Sequence, residues 1–455
     1  MMLGRMFFGQ KGAKTMRLTR LFALILIYTS IGLMTSYEVK ANPFFVGRFN
    51  GLLGGPMDQS AFSLYWNPAN LYTETSKINL HIGVISRQAS YDRLLPSDTA
   101  PDQAEANGGL ATTSALGAIP SFAFHSGLEL NDDFKLGYGA GVYIARAGTA
   151  NWDRTPEAAS QYPGAYDGSQ RWSALSTFML LVNYAGGVSL EYDRFSIGAA
   201  LSYVDTTLST TKAANADKSD ELTNPDGELK EGRIFLDGAR GSDLNATLGF
   251  SIDFDAIDLA YAWRLPVVYQ LQGTAYVLYA NAPETTADAQ VELQVAESHL
   301  ASLAYTFGKV RYRFEYERQL WSIMDNQKIL NLDQRDAEGK PVELLILERQ
   351  FQDTHAYRFR IDYSITEHVI LNGGISFEDG VTLPEYHEPG LAEADQVEIG
   401  FGAQLPLTKS LSLNASFFYQ HFYDRTITTS KQSPPTNGNY TDNRQYLNLN
   451  LCWSL

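Results

Sequence analysis

The chain has 455 residues, among them 26 Tyr, 24 Phe and 37 Gly, with 19% charged residues and a formal net charge of −16. Length alone admits two or three compact domains or one large barrel, while the acidic balance argues against a nucleic-acid partner, which needs basic patches. The single cysteine, Cys452, excludes an intrachain disulfide.

In chain order, Arg17 and Arg20 precede the apolar run Leu21–Tyr28, and Val39, Lys40 and Ala41 offer a cleavage site. This predicts a signal peptide over residues 1–41, with Met16 as an alternative start. No apolar run of helix-spanning length follows, so an exported product is periplasmic, secreted or an outer-membrane barrel. From Gly54 to Leu71 the sequence GGPMDQSAFSLYWNPANL holds neither a strand nor a helix period, and Gly54–Gly55–Pro56 and Asn67–Pro68 break it.

Beyond residue 76 the pattern becomes alternation. Val310, Tyr312, Phe314 and Tyr316 share one face while Arg311, Arg313, Glu315 and Glu317 share the other; Tyr357, Phe359, Ile361 and Tyr363 oppose Arg358, Arg360 and Asp362. Aromatic residues outward and polar residues inward is the dyad of a membrane barrel. Strands are expected near 77–91, 117–128, 134–147, 176–191, 194–206, 243–253, 256–280, 292–306, 309–322, 355–365, 368–378, 396–405, 410–426 and 444–454. Short connections alternate with long ones at 92–115, 148–176, 207–242, 281–291, 323–354, 379–395 and 427–443, which gives two rims of unlike loop length. The expected fold is therefore all-β: a transmembrane antiparallel up-and-down barrel of about 14 strands, 77–455, with residues 42–76 as a plug in the lumen. A lumen that wide needs blocking, because side chains from the wall cannot fill it. Pro266 is expected to bend the seventh strand.

Leu447, Leu449, Leu451, Trp453 and Leu455 line one face of the last strand. That strand resembles the signal read by the barrel-assembly machinery, although it ends in Leu rather than the usual Phe. Asn67–Pro68–Ala69 resembles the Asn-Pro-Ala motif in the hatch of the FadL family of outer-membrane transporters for long-chain fatty acids and other hydrophobic compounds. Phe314–Ser322, Asp353–Thr354 with Tyr357–Arg358, Leu371–Gly374 and Pro384 resemble later motifs of the same family in the same order. Asn70 stands where many members carry Gly.

The resemblance implies a monomeric outer-membrane protein that takes up long-chain fatty acid or another hydrophobic small molecule through a hatch-gated barrel and contacts outer-membrane lipid. Asp58, Asn67, Pro68 and Ala69 are the candidates for gating through the bend at Pro68, with a static plug that merely caps the lumen as the alternative; the resemblance implies substrate capture by an outer loop, for which Trp152, Tyr162, Tyr166 and Trp172 are the aromatic candidates. A third-strand kink with sideways exit is also implied; Gly137, Gly139 and Gly141 are the candidates, either for the kink or as space for the plug. The charges 311–317 and 358–362 could bind a carboxylate or pair across strands inside the lumen. No cofactor, metal site or catalytic residue is expected: the seven histidines are scattered and no His-Glu-x-x-His or Gly-x-Ser-x-Gly occurs. A non-transporting adhesive or structural barrel, and an outer-membrane lipase, are the competing readings.

Overall fold

The computed structural model describes residues 45–154, 162–280, 283–391 and 393–455; the expected signal peptide lies outside them. Fourteen strands form the wall: β1 (Lys77–Arg93), β2 (Gly109–Glu129), β3 (Phe134–Asn151), β4 (Ser176–Tyr192), β5 (Phe195–Ala214), β6 (Gly232–Asp253), β7 (Ile257–Arg264 and Val267–Leu278), β8 (Thr285–Val295 and Ser298–Phe307), β9 (Val310–Gln319), β10 (Thr354–Ser364), β11 (Ile370–Glu378), β12 (Gln396–Pro406), β13 (Leu411–Ile427) and β14 (Gly438–Ser454). Each pairs antiparallel with the next, and β14 pairs with β1 from Gly438↔Arg93 to Ser454↔Lys77, which closes the ring and leaves no edge.

The alternation sets which face is wet. Tyr312, Tyr357, Phe359, Ile361 and Tyr363 are exposed on the outside, whereas Arg313, Glu315, Glu317, Arg358, Arg360 and Asp362 are buried in the lumen. Strand β7 is interrupted at Leu265–Pro266, as a proline without an N–H dictates.

Most of the expected loops contain strand, two of them over long stretches. Residues 207–214 continue β5 and 232–242 continue β6, because a threonine-rich run suits strand and because Ile234 and Leu236 turn inward to be buried. Within 323–354, strands Asn326–Arg335 and Pro341–Glu348 form a hairpin whose first strand takes the edge of β8 above β9, with Val291 opposite Ile329.

Candidate functional site: the filled lumen and a broken seam

Residues from Gly47 to Tyr72 run inside the ring and touch its wall on several sides. Three short turns, Gly51–Leu53, Ser63–Trp66 and Pro68–Asn70, are joined by irregular backbone. Phe49, Phe62, Leu64, Tyr65, Trp66 and Leu71 pack as one apolar cluster with Tyr143, Ala185, Ala200 and Leu300 of the wall. The Phe49 and Phe62 rings stack at 4.9 Å, and Trp66 Nε1 donates to the Phe49 carbonyl at 3.1 Å.

The bend at Asn67–Pro68 is fixed from both directions. Asn67 is extended (φ −162°), its Oδ1 accepts the Ala69 N–H at 3.1 Å, and Pro68 occupies the first position of the following turn. Its Nδ2 lies 2.9 Å from the Pro56 carbonyl, 3.1 Å from that of Phe250 and 2.9 Å from Ser251 Oγ, which joins the bend to β6. A Cβ on Gly249 would fall 1.9 Å from Asn67 Oδ1, so the backbone there must be glycine for the bend to seat.

Charge holds the opposite side. Asp58 pairs with Arg313 at 2.6 Å, with Arg311 at 3.7 Å, and Arg313 pairs in turn with Asp362 at 2.9 Å. Arg313 also donates to the Leu52 carbonyl and Arg360 to that of Gly54. Arg48 pairs with Glu398 at 2.8 Å, and Arg264 stacks on the Tyr65 ring while pairing with Glu317 at 3.0 Å. The charges of β9 and β10 thus meet each other or the inner segment: Arg358 pairs with Glu317 at 2.8 Å and Arg360 with Glu315 at 3.2 Å. Buried charge demands such partners.

The seam between β2 and β3 is built differently. It pairs only from Glu129↔Lys135 to Phe122↔Val142, after which the strands part. Pro120, which has no N–H to offer a ladder, stands two residues beyond the last pair, and β3 carries a bulge between Ile144 and Arg146. The strands meet again where Thr113 Oγ1 donates to the Asn151 carbonyl at 2.6 Å. Phe45–Val46 pairs with Ala147 and Arg146 inside this gap, and the Gly47 N–H donates to the Ala145 carbonyl at 2.9 Å. The irregularity therefore lies above the glycine run. Gly137, Gly139 and Gly141 are in regular register opposite Gly127, His125 and Ala123. A Cβ on Gly137 would lie 2.3 Å from the Tyr72 nitrogen and one on Gly139 would lie 3.1 Å from Leu71, so these two glycines clear space for the inner segment.

On the long-loop side lies a narrow apolar cleft of about 60 Å³, lined by Met179, Leu208, Leu236, Leu293, Met324 and Ile329. At its polar rim are Ser173, Lys212, Arg349 and Glu388, with Ser173 Oγ donating to Glu388 at 2.8 Å and Arg349 paired with Glu388. Lys212 is 8% exposed and, among the described residues, its amine has no hydrogen bond or ion pair. The two methionines give the cleft walls that can repack around a guest. On the short-turn side, below the segment, a polar vestibule of about 420 Å³ is bounded by Asp58, Asn70, Tyr72 and Arg311.

The four aromatic loop residues separate. Trp152 is buried against Tyr91 and Tyr440. Trp172 is buried with its Nε1 donating to Asn107 at 2.9 Å, beside a fully buried Arg171 that donates to the same oxygen at 2.6 Å and pairs with Glu231 at 3.1 Å. These tie a cap of loops together. Tyr162 lines an outward-open cavity of about 460 Å³ with Leu222, Leu229, Leu278 and Tyr279, and Tyr166 is exposed. Sequence reasoning missed Lys212, which it left in a loop, the bulge beside Arg146, and Pro120, whose place within an otherwise strand-like run was the available signal.

Residues 54–450 match the family described as outer membrane protein transport protein (OMPP1/FadL/TodX). No curated protein matches the sequence. Among solved structures, a FadL homologue from Pseudomonas aeruginosa superposes with a TM-score of 0.70 at 14% identity, covering 92% of this chain and 99% of its own. The Ralstonia pickettii toluene transporter TbuX gives 0.61 at 14% identity, over 89% and 99%. The Pseudomonas putida toluene transporter TodX gives 0.62 at 14% identity, over 87% and 94%. At these identities the likeness concerns the fold.

Proposed function

Because the chain belongs to the OMPP1/FadL/TodX family of outer-membrane transport proteins, we propose that it takes up long-chain fatty acids, gated by residues 42–76 and released sideways between β2 and β3. The protein is a multi-pass outer-membrane β-barrel that transports hydrophobic compounds and is not an enzyme. In the proposed cycle, cargo meets the outer cavity at Tyr162, enters the apolar cleft between Met179 and Met324, and leaves through the gap that Phe45–Val46 occupies. The segment 42–76 acts as the hatch, with Asp58, Asn67, Pro68 and Ala69 setting its closed position. Residues 1–41 serve as a cleaved leader, and β14 as the strand handed to the assembly machinery; the barrel works as a monomer in contact with outer-membrane lipid.

The observation that carries the choice of cargo is Lys212. A buried ammonium with no hydrogen bond or ion pair among the described residues, at the rim of an apolar cleft and with Glu388 on the same rim, fits a carboxylate head on a hydrocarbon chain. Two structural neighbours are toluene transporters by name, and a cleft lined by methionine and leucine is the observation that favours this second reading. Uptake of labelled hexadecanoate and of toluene by cells producing the protein separates the two. The fatty-acid reading expects hexadecanoate uptake that Lys212→Met cuts sharply; uptake of toluene alone, unaffected by the substitution, would overturn it.

A further inference from the structure

We propose that Arg146 is a second, exit-side station for the anionic head of the cargo, placed in the lumen by the β3 bulge. The inference rests on the acid-cargo reading above and adds a residue to it. In β3, Tyr138 and Ala140 face out and are exposed, and continued alternation would carry Val142, Ile144 and Arg146 to the same lipid side. One extra residue at Ala145 reverses the parity, so that Ile144 pairs with Val182 but Arg146 pairs with Leu181, whose side chain belongs to the buried lumen cluster. The bulge therefore turns an arginine inward at the place where the β2–β3 seam is open.

Inside, the Arg146 guanidinium lies 5.1 Å from the centre of the Trp321 ring. Trp321 closes the bottom of the apolar cluster that includes Met179, Leu208 and Met324. Beneath it is a polar cavity of about 50 Å³ that Arg146 shares with three arginines, Arg48, Arg358 and Arg444, and three carboxylates, Glu378, Asp379 and Glu393. Those three arginines are neutralised: Arg48 by Glu398 at 2.8 Å, Arg358 by Glu317 at 2.8 Å, Arg444 by Asp442 at 2.9 Å. Arg146 rests on the tryptophan face and feels the Glu317 carboxylate at longer range, with no hydrogen bond or ion pair to its side chain among the described residues. A cation held on an aromatic ring with its N–H groups free of a contacting carboxylate can donate to the carboxylate of a passing cargo. Cargo passing Trp321 would exchange Lys212 for Arg146, and its head would stay paired until the chain reaches the gap.

The test compares dodecanoate with 1-dodecanol, equal in chain length, in cells producing wild type, Arg146→Gln or Arg146→Lys, with heat-modifiable migration confirming that each barrel is folded. Losing a charged hydrogen-bond partner predicts about tenfold slower dodecanoate uptake for Arg146→Gln, unchanged dodecanol uptake, and substantial recovery of dodecanoate uptake in Arg146→Lys. Equal slowing of both cargos, or of neither, would overturn the assignment. Wild type that carries dodecanol but no dodecanoate overturns the acid-cargo reading and this station with it.

Discussion

Two seams of the same wall are built on opposite plans. Strands β9 and β10 pair without interruption from Val310↔Tyr363 to Gln319↔Thr354, and their lumen faces carry ion pairs that reach the inner segment through Asp58. Strands β2 and β3 pair over eight positions, then separate at a proline and a bulge; above the Glu129–Lys135 end their paired inner faces carry mainly glycine and alanine, with one buried histidine, His125. In the proposed cycle one seam anchors and the other yields. Placed on different sides of one segment, they would let its N-terminal end at the gap move while Asp58 keeps its hold.

The anchoring side should be the more costly to break. Arg313→Met strips the closer partner from Asp58 and the partner from Asp362 inside the lumen, leaving Asp58 only the longer contact to Arg311, and removing one member of a buried ion pair costs about 3–5 kcal/mol. The urea midpoint in lipid should fall accordingly, and small solutes should leak. A midpoint within error of wild type would place the anchor elsewhere.

The bend itself comes next. Gly249→Ala drives a methyl into Asn67 Oδ1, and Asn67→Ala takes from the Phe250 carbonyl and Ser251 Oγ the donor they share, leaving the Pro56 carbonyl to Asn70 alone. Each should cost about 1–3 kcal/mol. In planar bilayers both should raise conductance through the lumen; if both stayed closed, the bend would be packing without a gating role.

The smallest effect concerns the loop cap. His387, buried against Tyr440 with both ring nitrogens unbonded among the described residues, has its pKa pushed down to about 3, chiefly by burial and further by Arg425. The opened cap takes up a proton near the ordinary value of 6.5 while the closed cap stays neutral, so closure is fully favoured above that pH and weakens as pH falls from 6.5 towards 3. Protection of the amides at 384–391, measured relative to their intrinsic exchange rates, should fall over that window, and His387→Phe should abolish the change. Protection that is equally pH-dependent in both proteins would exonerate the histidine.

Much of this contrast was legible in the chain. Alternation such as Val310 to Glu317 fixes which side chains face lipid, because period 2 leaves no other way to bury the charges, and unlike loop lengths give the two rims. Asn67–Pro68–Ala69 marked the bend, since few sequences combine an amide acceptor with a fixed φ. The location of the break was harder to see. It depends on one residue of extra length at Ala145 against Pro120 on the neighbouring strand, a relation between strands that no single-strand pattern carries. Lys212 was hidden for a similar reason: the Thr-rich run around it reads as polar loop until Ile234 and Leu236 of β6 bring it over the lumen.

The yielding seam is the centre of the account, and it can be closed on demand. With Cys452 replaced by serine, cysteines at Ser121 and Tyr143, which flank the start of the gap, can be bridged by a short bis-methanethiosulfonate reagent and released by reductant. Sideways exit predicts that bridging stops uptake of labelled fatty acid and that reductant restores it; undiminished uptake through a bridged seam would contradict it.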